Sequence, residues 1–364
     1  VKINVSGKLL RIAGINFEHF HMGDLLRMVA RHPQAELVAI CDVQPERMVM
    51  VREALRIEYN RVFHHWEECL DATEPDLVIT CPAAASHGLW SERLLGRGVH
   101  VLMEKPMAAS LAEADRMIQA AEQSKRLLAI NWPMVWYPQY QLTERLIREG
   151  MIGDVLEVHY YGGNRGPLWH TEGKIERTAQ DVDRLKPHSW FYQRQSGGGS
   201  LLDYMGYGAT LGTWFNGGQI PLDVTAVVDE PPGLEVDEHC IAIVRYANGL
   251  SKLETRWGTF TDPWTTQPQP QCGFVVVGSE GTIGAYDYAQ TLRVQTRTRP
   301  EQHEIGLPEL IAPWRDPIEY FVHCIQTGEP LRGPLSPAMS RIGQQIVDTV
   351  AASAAAKSTM PLLK

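Results

Sequence analysis

Three short stretches carry side chains able to act on a small molecule. The first is His100-Val101-Leu102-Met103-Glu104-Lys105-Pro106, an apolar run ending in an acid, a base and a proline. Apolar runs of this length read as buried strands of a parallel sheet, and open α/β sheets hold ligands beyond the carboxyl ends of their strands. Glu104 and Lys105 are therefore expected at a ligand-facing rim, with Pro106, after a bond open to the cis form, directing the lysine. The second is Gly197-Gly198-Gly199, followed by Asp203 and then Tyr207 at a helix start. The third is Gly14-Ile15-Asn16-Phe17-Glu18-His19, which stands where a dinucleotide fingerprint would stand but keeps only its first glycine. An ammonium, a carboxylate and a phenol are the groups that hold or move a hydroxyl proton.

Bringing such groups together takes a frame, and the chain supplies one. Apolar runs at Leu9 to Ile15, Leu37 to Asp42, Arg61 to Phe63, Leu77 to Thr80, Val99 to Met103 and Leu127 to Asn131 alternate with helical stretches. This predicts an α/β Rossmann fold, a doubly wound parallel sheet, over residues 1–131. Ser110-Leu111-Ala112-Glu113 is a capping box for one of its helices. Beyond Trp132-Pro133 strand-like runs dominate, and Ala247-Asn248-Gly249 signals a tight hairpin. Residues 132–364 are thus expected to form an α+β domain with a large, mostly antiparallel sheet, its final helices (about 317–355) packing back on the first domain. Residues 1–8 read as an extended lead-in.

The bulk properties narrow the partners. A chain of 364 residues exceeds one ordinary core. Its net charge of -9, with both signs interspersed, argues against nucleic acid or an anionic membrane. Six scattered cysteines without a C-x-x-C pair fit a reduced, cytoplasmic protein. No signal peptide or membrane-length apolar run is visible, although a chain beginning at Val leaves a removed leader open.

Asp42 closes the second strand, where an acid takes the adenosine ribose diol and repels a 2′-phosphate; that favours NAD over NADP. In the altered turn, Asn16 tolerates a positive φ, whereas His19 puts bulk where helix should meet strand. Side-chain donors from Asn16 and His19, together with free N–H groups at the helix start, are expected to hold a shifted diphosphate. His19 and His21, even with His64, His65 and His87 nearby, lack zinc-site spacing, so no metal is expected.

Taken together, Glu104-Lys105-Pro106, the Gly14 turn with Asp42, and the Gly197–Gly199 segment with its acid resemble the Gfo/Idh/MocA family of nicotinamide-dependent sugar and polyol oxidoreductases. The resemblance covers nearly the whole chain. It implies that Lys105 hydrogen-bonds the reacting oxygen and that Asp203 is the family's acid. Tyr207 stands at the family's histidine, and some members carry tyrosine there. A neighbouring ammonium would make that phenol usable by stabilising phenolate. The resemblance further implies that Cys81, Pro82 and His87 of the loop after the fourth strand, with Glu104 and Lys105, border the nicotinamide riboside. Met205 departs from the family by standing where it has glycine, and Met134 and Val135 stand where members often have arginine.

For the substrate, Trp132, Trp169 and Trp190 offer faces for stacking on a sugar, and Asn131, Arg165 and His188 offer hydroxyl contacts. The leading expectation is NAD-dependent hydride exchange at a hydroxyl carbon of a sugar, polyol or derivative. Two alternatives stay open: a redox-neutral sugar-modifying enzyme with retained NAD, and a ligand-sensing regulator without catalysis. The resemblance also implies a homodimer or homotetramer.

Overall fold

The computed structural model describes residues 9–364, so the lead-in over residues 1–8 lies outside the described residues. The first half runs β1 (Leu10–Ile15), α1 (His21–Arg31), β2 (Ala35–Cys41), a 3-10 turn at Pro45–Met48 entering α2 (Val49–Leu55), β3 (Val62–Phe63), α3 (Trp66–Thr73), β4 (Leu77–Thr80), α4 (His87–Gly96), β5 (His100–Glu104), α5 (Leu111–Ser124) and β6 (Leu128–Asn131). The strands pair in parallel in the order β3-β2-β1-β4-β5-β6. Winding reverses between β1 and β4, which opens a crevice above their carboxyl ends.

Alternate strand residues feed two cores. Ile12, Ile40, Ile79 and Leu102 pack against α1, whereas Ala13, Val78, Val101 and Met103 pack toward α4 and α5. Burial on both faces is why β4 and most of β5 are continuous apolar runs. Ser110 caps α5 by accepting the Glu113 amide, as the capping box foretold.

The second half adds α6 (Pro138–Arg148), β7 (Val155–Asn164), α7 (Ala179–Leu185), α8 (Gly206–Phe215), β8 (Asp223–Asp229), β9 (His239–Tyr246), β10 (Gly249–Trp257), β11 (Gly273–Gly278), β12 (Gly281–Tyr286), β13 (Thr291–Thr296), β14 (Arg299–Gly306), α9 (Pro317–Thr327), α10 (Pro337–Ala356) and β15 (Met360–Pro361). Its nine strands run β14-β13-β12-β11-β7-β10-β9-β8-β15, antiparallel throughout except where β7 meets β10. Ala247-Asn248 forms the tight turn, with Tyr246 facing Gly249. The glycine-bearing β12 and the polar β14 carry no strand-like apolar run, which is why sequence periodicity passes over them.

One face of this sheet is covered by α6, α8 and α10; the other leaves Leu156, Val227, Ile241, Ile243 and Leu250 exposed. Helix α9 adds Ile318, Phe321 and Val322 to the core shared by β1 and α1. Helix α10 ties the halves: Asp348 accepts the Leu111 amide at 2.6 Å and Ser353 accepts the Ala226 amide at 3.0 Å. Among the described residues, no helix is long and apolar enough to cross a membrane.

Candidate active site

The turn after β5 is held from several sides. His87 is buried, with Nδ1 2.9 Å from the Pro106 carbonyl and Nε2 3.1 Å from the Pro82 carbonyl, so it fastens the turn after β4 to the turn after β5. The Lys105–Pro106 bond is cis. Glu104 is fully buried; its carboxylate accepts from His21 Nδ1 and from Asn131 Nδ2, each at 2.8 Å. Burial opposes its charge, yet His21, Lys105 and Asn131 hold the carboxyl below the usual range. Asn131, expected on the substrate, orients Glu104 through Nδ2, while its Oδ1 is buried without a hydrogen-bond partner.

Lys105 donates to Asp203, a buried ion pair between residues 98 apart in sequence. Asp203 lies on a π-helical turn, Leu201–Met205, that leads into α8; such turns recur at functional sites. The glycine triplet before it has definite work. Gly197 and Gly199 adopt φ of 80° and 108°, and a Cβ on Gly198 would meet the Phe191 carbonyl oxygen at 2.3 Å. With Met205 in the family's glycine place, the close approach passes to Gly206, where a Cβ would come within 2.6 Å of the Trp132 indole. Trp132 itself is buried, donates to Ser340 Oγ at 2.9 Å and packs edge-on against Tyr207. It supports the phenol from behind.

Lys105, Asp203 and Tyr207 line one cavity of about 60 Å³, to which Asn164, His170 and Tyr204 also contribute. The Lys105 ammonium lies 5.6 Å from the Tyr207 ring centre. Phenolate is not the resting form. Burial first, then Glu104, Tyr204 and Asp203, push the Tyr207 hydroxyl well above its usual value. The stabilisation expected from Lys105 goes to Asp203 instead. Sequence reasoning assigned no role to Tyr204, whose hydroxyl accepts from Asn164 Nδ2 at 3.3 Å; its place beside Asp203 was the available signal. It also missed Asp287, a cavity residue whose carboxyl burial pushes up to about 6, against a bond from the Tyr140 hydroxyl. His170 is pushed down to about 2 by burial and then by Lys174, and its Nδ1 has no hydrogen-bond partner.

The remaining tryptophan and arginine candidates lie elsewhere. Arg165 stacks over Trp169 at 4.8 Å and pairs with Asp262 and Glu176, outside this cavity. His188 and Trp190 line a larger cleft of about 820 Å³, beside Glu18, His19 and Arg47. There Trp190 stacks on Phe191 at 3.9 Å and donates to the Glu18 carbonyl at 3.1 Å.

At the nucleotide turn, Gly14 serves packing: a Cβ would reach Leu26 at 3.0 Å. The positive φ falls on Asn16, at 69°. Most of the donors expected to be free are engaged within the chain. Asp42 accepts the amides of Phe17 (2.7 Å) and Gln44 (2.8 Å), and Asn16 Oδ1 accepts that of Glu18 at 3.1 Å. The Cys81 carbonyl accepts the His19 amide at 2.9 Å, and His19 Nδ1 accepts that of His21 at 3.1 Å. Met22 and Gly23 bond back to His19 and Phe20. Most amides of the turn are thus answered within the chain, Asn16 Oδ1 and His19 Nδ1 accepting two of them while Asn16 Nδ2 donates to Glu18 Oε2 at 3.2 Å.

Potential ligand atoms of His19, His21 and Glu104 lie within 4.8 Å of one another. Their hydrogen bonds account for the grouping. Nδ1 of His19 is an acceptor, which leaves the proton of its neutral ring on Nε2, and His21 spends Nδ1 on Glu104. Burial, then His21 and Lys105, holds His19 neutral.

The family profile described as "Oxidoreductase family, NAD-binding Rossmann fold" matches residues 12–132, and "GFO/IDH/MocA C-terminal domain" matches residues 140–284. D-Apiose dehydrogenase of Paraburkholderia graminis is 34% identical over 155 residues, 42% of this chain and 37% of that protein. Myo-inositol 2-dehydrogenase of Thermotoga maritima is 23% identical over 91% of this chain and 90% of its own length. The matches to the first curated relatives thus span well under half of those proteins. Among solved structures, levoglucosan dehydrogenase in complex with NADH and levoglucosan shares the fold, with a TM-score of 0.76 at 18% identity, covering 98% of this chain and 100% of that one.

Proposed function

This chain belongs to the Gfo/Idh/MocA oxidoreductase family, and we propose that it exchanges hydride between NAD and a hydroxyl carbon of a sugar, polyol or sugar derivative. One observation carries the reading: Lys105 from the first half and Asp203 and Tyr207 from the second line a single cavity at the carboxyl end of β5. The crevice suits the cofactor at both ends, with Asp42 closing β2 on one side and Lys105 above β5 on the other. NAD, when bound, supplies the hydride acceptor or donor.

The protein's share is positioning and proton handling. Lys105 donates a hydrogen bond to the reacting oxygen, and Asp203 fixes the direction of the ammonium. Tyr207, held as neutral phenol, gives its proton to a forming alkoxide in reduction. In oxidation the same site must first release a proton, so oxidation gains at high pH. Tyr204 and Asn164 read neighbouring hydroxyls. The test is NADH formation or consumption with a panel of sugars and polyols. Absence of turnover together with absence of NADH binding would sink the reading.

A specific contact favours the redox-neutral alternative with retained NAD. Glu172 reaches across α1 to Arg27 at 2.5 Å, and the Gly173 amide donates to Asp24 at 3.0 Å, clasping the second half over the crevice. Cofactor that survives gel filtration while no NADH accumulates would select it. The exposed apolar residues of β7 to β10 fit a homodimer or homotetramer formed through the open sheet face, which light scattering would show. A cytoplasmic site, without nucleic acid or membrane as partner, completes the proposal.

A further inference from the structure

We propose that Glu18 fills the diphosphate seat of the crevice with the chain's own carboxylate, so that an incoming dinucleotide must exchange places with it. The inference rests on the NAD reading above and concerns one feature of it. A fingerprint turn ordinarily offers backbone amides and a helix start to the diphosphate. Here the amides of Phe17, Glu18, His19, His21, Met22 and Gly23 already have acceptors within the chain.

Three other donors converge nearby. Glu18 Oε2 accepts from the Ala83 amide at 3.0 Å and from Asn16 Nδ2 at 3.2 Å, while Glu18 Oε1 lies 3.5 Å from Arg47 Nη2. An amide, a carboxamide and a guanidinium around one carboxylate form a donor set for an oxyanion. The position also fits: Asn16 and Glu18 lie in the turn after β1, Ala83 follows β4, and Arg47 follows β2. These segments border the point where the sheet reverses its winding.

The carboxylate is free to leave. The Glu18 and Arg47 side chains are 22% and 29% exposed, and both residues line the 820 Å³ cleft. Once Glu18 swings out, Ala83, Asn16 and Arg47 are released to the diphosphate. Arg47, also 3.6 Å from Asp42, then supplies charge where the lost glycines no longer supply open backbone. Left in place, Glu18 would set a negative charge against the phosphates.

Calorimetry with NADH, ADP-ribose and adenosine on the full-length protein and its Glu18→Gln variant decides the matter. The variant should bind NADH and ADP-ribose about tenfold tighter, the scale of one charge contact near a protein surface, with adenosine unchanged. Arg47→Gln should weaken NADH and ADP-ribose alike. Equal NADH affinity in the parent and Glu18→Gln would overturn the proposal and leave the NAD reading standing. Weaker binding by a Glu18→Gln variant with an unshifted thermal midpoint would also overturn it. If neither version binds NADH, both inferences fall.

Discussion

The two ends of the crevice are built on opposite plans. At the turn after β1, hydrogen-bonding groups are answered from within: Asp42 takes two amides, Asn16 one, and Glu18 collects donors from two neighbouring segments. At the turn after β5, an ion pair, a phenol and an unpartnered imidazole nitrogen are set close to one cavity. Buried polar groups are ordinarily satisfied, so the satisfied end reads as architecture and the end with spare capacity as chemistry. The nucleotide end is thus held in its resting state by its own side chains, while the reactive end keeps groups without partners.

The largest effect is expected at the reactive end. Lys105→Met should lower turnover by about 10²–10⁴-fold, and the buried Asp203 left without its partner should cost about 3–5 kcal/mol of stability. Adding Asp203→Asn should restore the unfolding midpoint but not the turnover; recovery of both would return the pair to architecture. Tyr207→Phe should cost about 10²-fold in turnover with the midpoint unmoved. A larger loss in Tyr204→Phe would transfer the proton role to that neighbour.

At the satisfied end the loss falls on the stability of the nucleotide-free protein. Asp42→Ala should destabilise the nucleotide-free protein by about 1–3 kcal/mol, because the amides of Phe17 and Gln44 lose their acceptor. Unchanged stability would make Asp42 a ligand residue only.

The pH dependence sharpens the contrast further. His170, held down to about 2, stays neutral in the folded protein while the unfolded chain takes up a proton below about pH 6.5, so stability falls with pH there. Asp287 works against this. Its carboxyl, raised to about 6, is protonated in the fold before it is in the unfolded chain, which adds stability between about pH 6 and 4. Denaturation midpoints from pH 7 to 4 should slope less in His170→Phe and more in Asp287→Asn. The smallest effect is Asn16→Ala, about 1–2 kcal/mol for a left-handed φ, with Asn16→Gly losing less because glycine accepts that φ.

Much of the architecture was legible because it is written locally. Short apolar runs between helical stretches marked all six strands of the first sheet. Asn248 set the hairpin and Ser110 the helix cap. The Lys105 rim was legible for the same reason, since a strand end is a local event. The bonds of Asn131 Nδ2 to Glu104 and of the Trp132 indole N–H to Ser340 were not, because each partner lies on another segment of the chain.

What the residue order determined, then, was which stretches become strands and helices, and that an acid, a base and a proline stand at a sheet's edge. Tertiary structure decided whose proton and whose charge each side chain meets. The Lys105–Asp203 contact joins residues 98 apart, and the Glu18–Ala83 contact residues 65 apart. Periodicity reaches only a few residues along a chain, whereas the field and the hydrogen bonds around a buried group come from whatever the fold folds next to it.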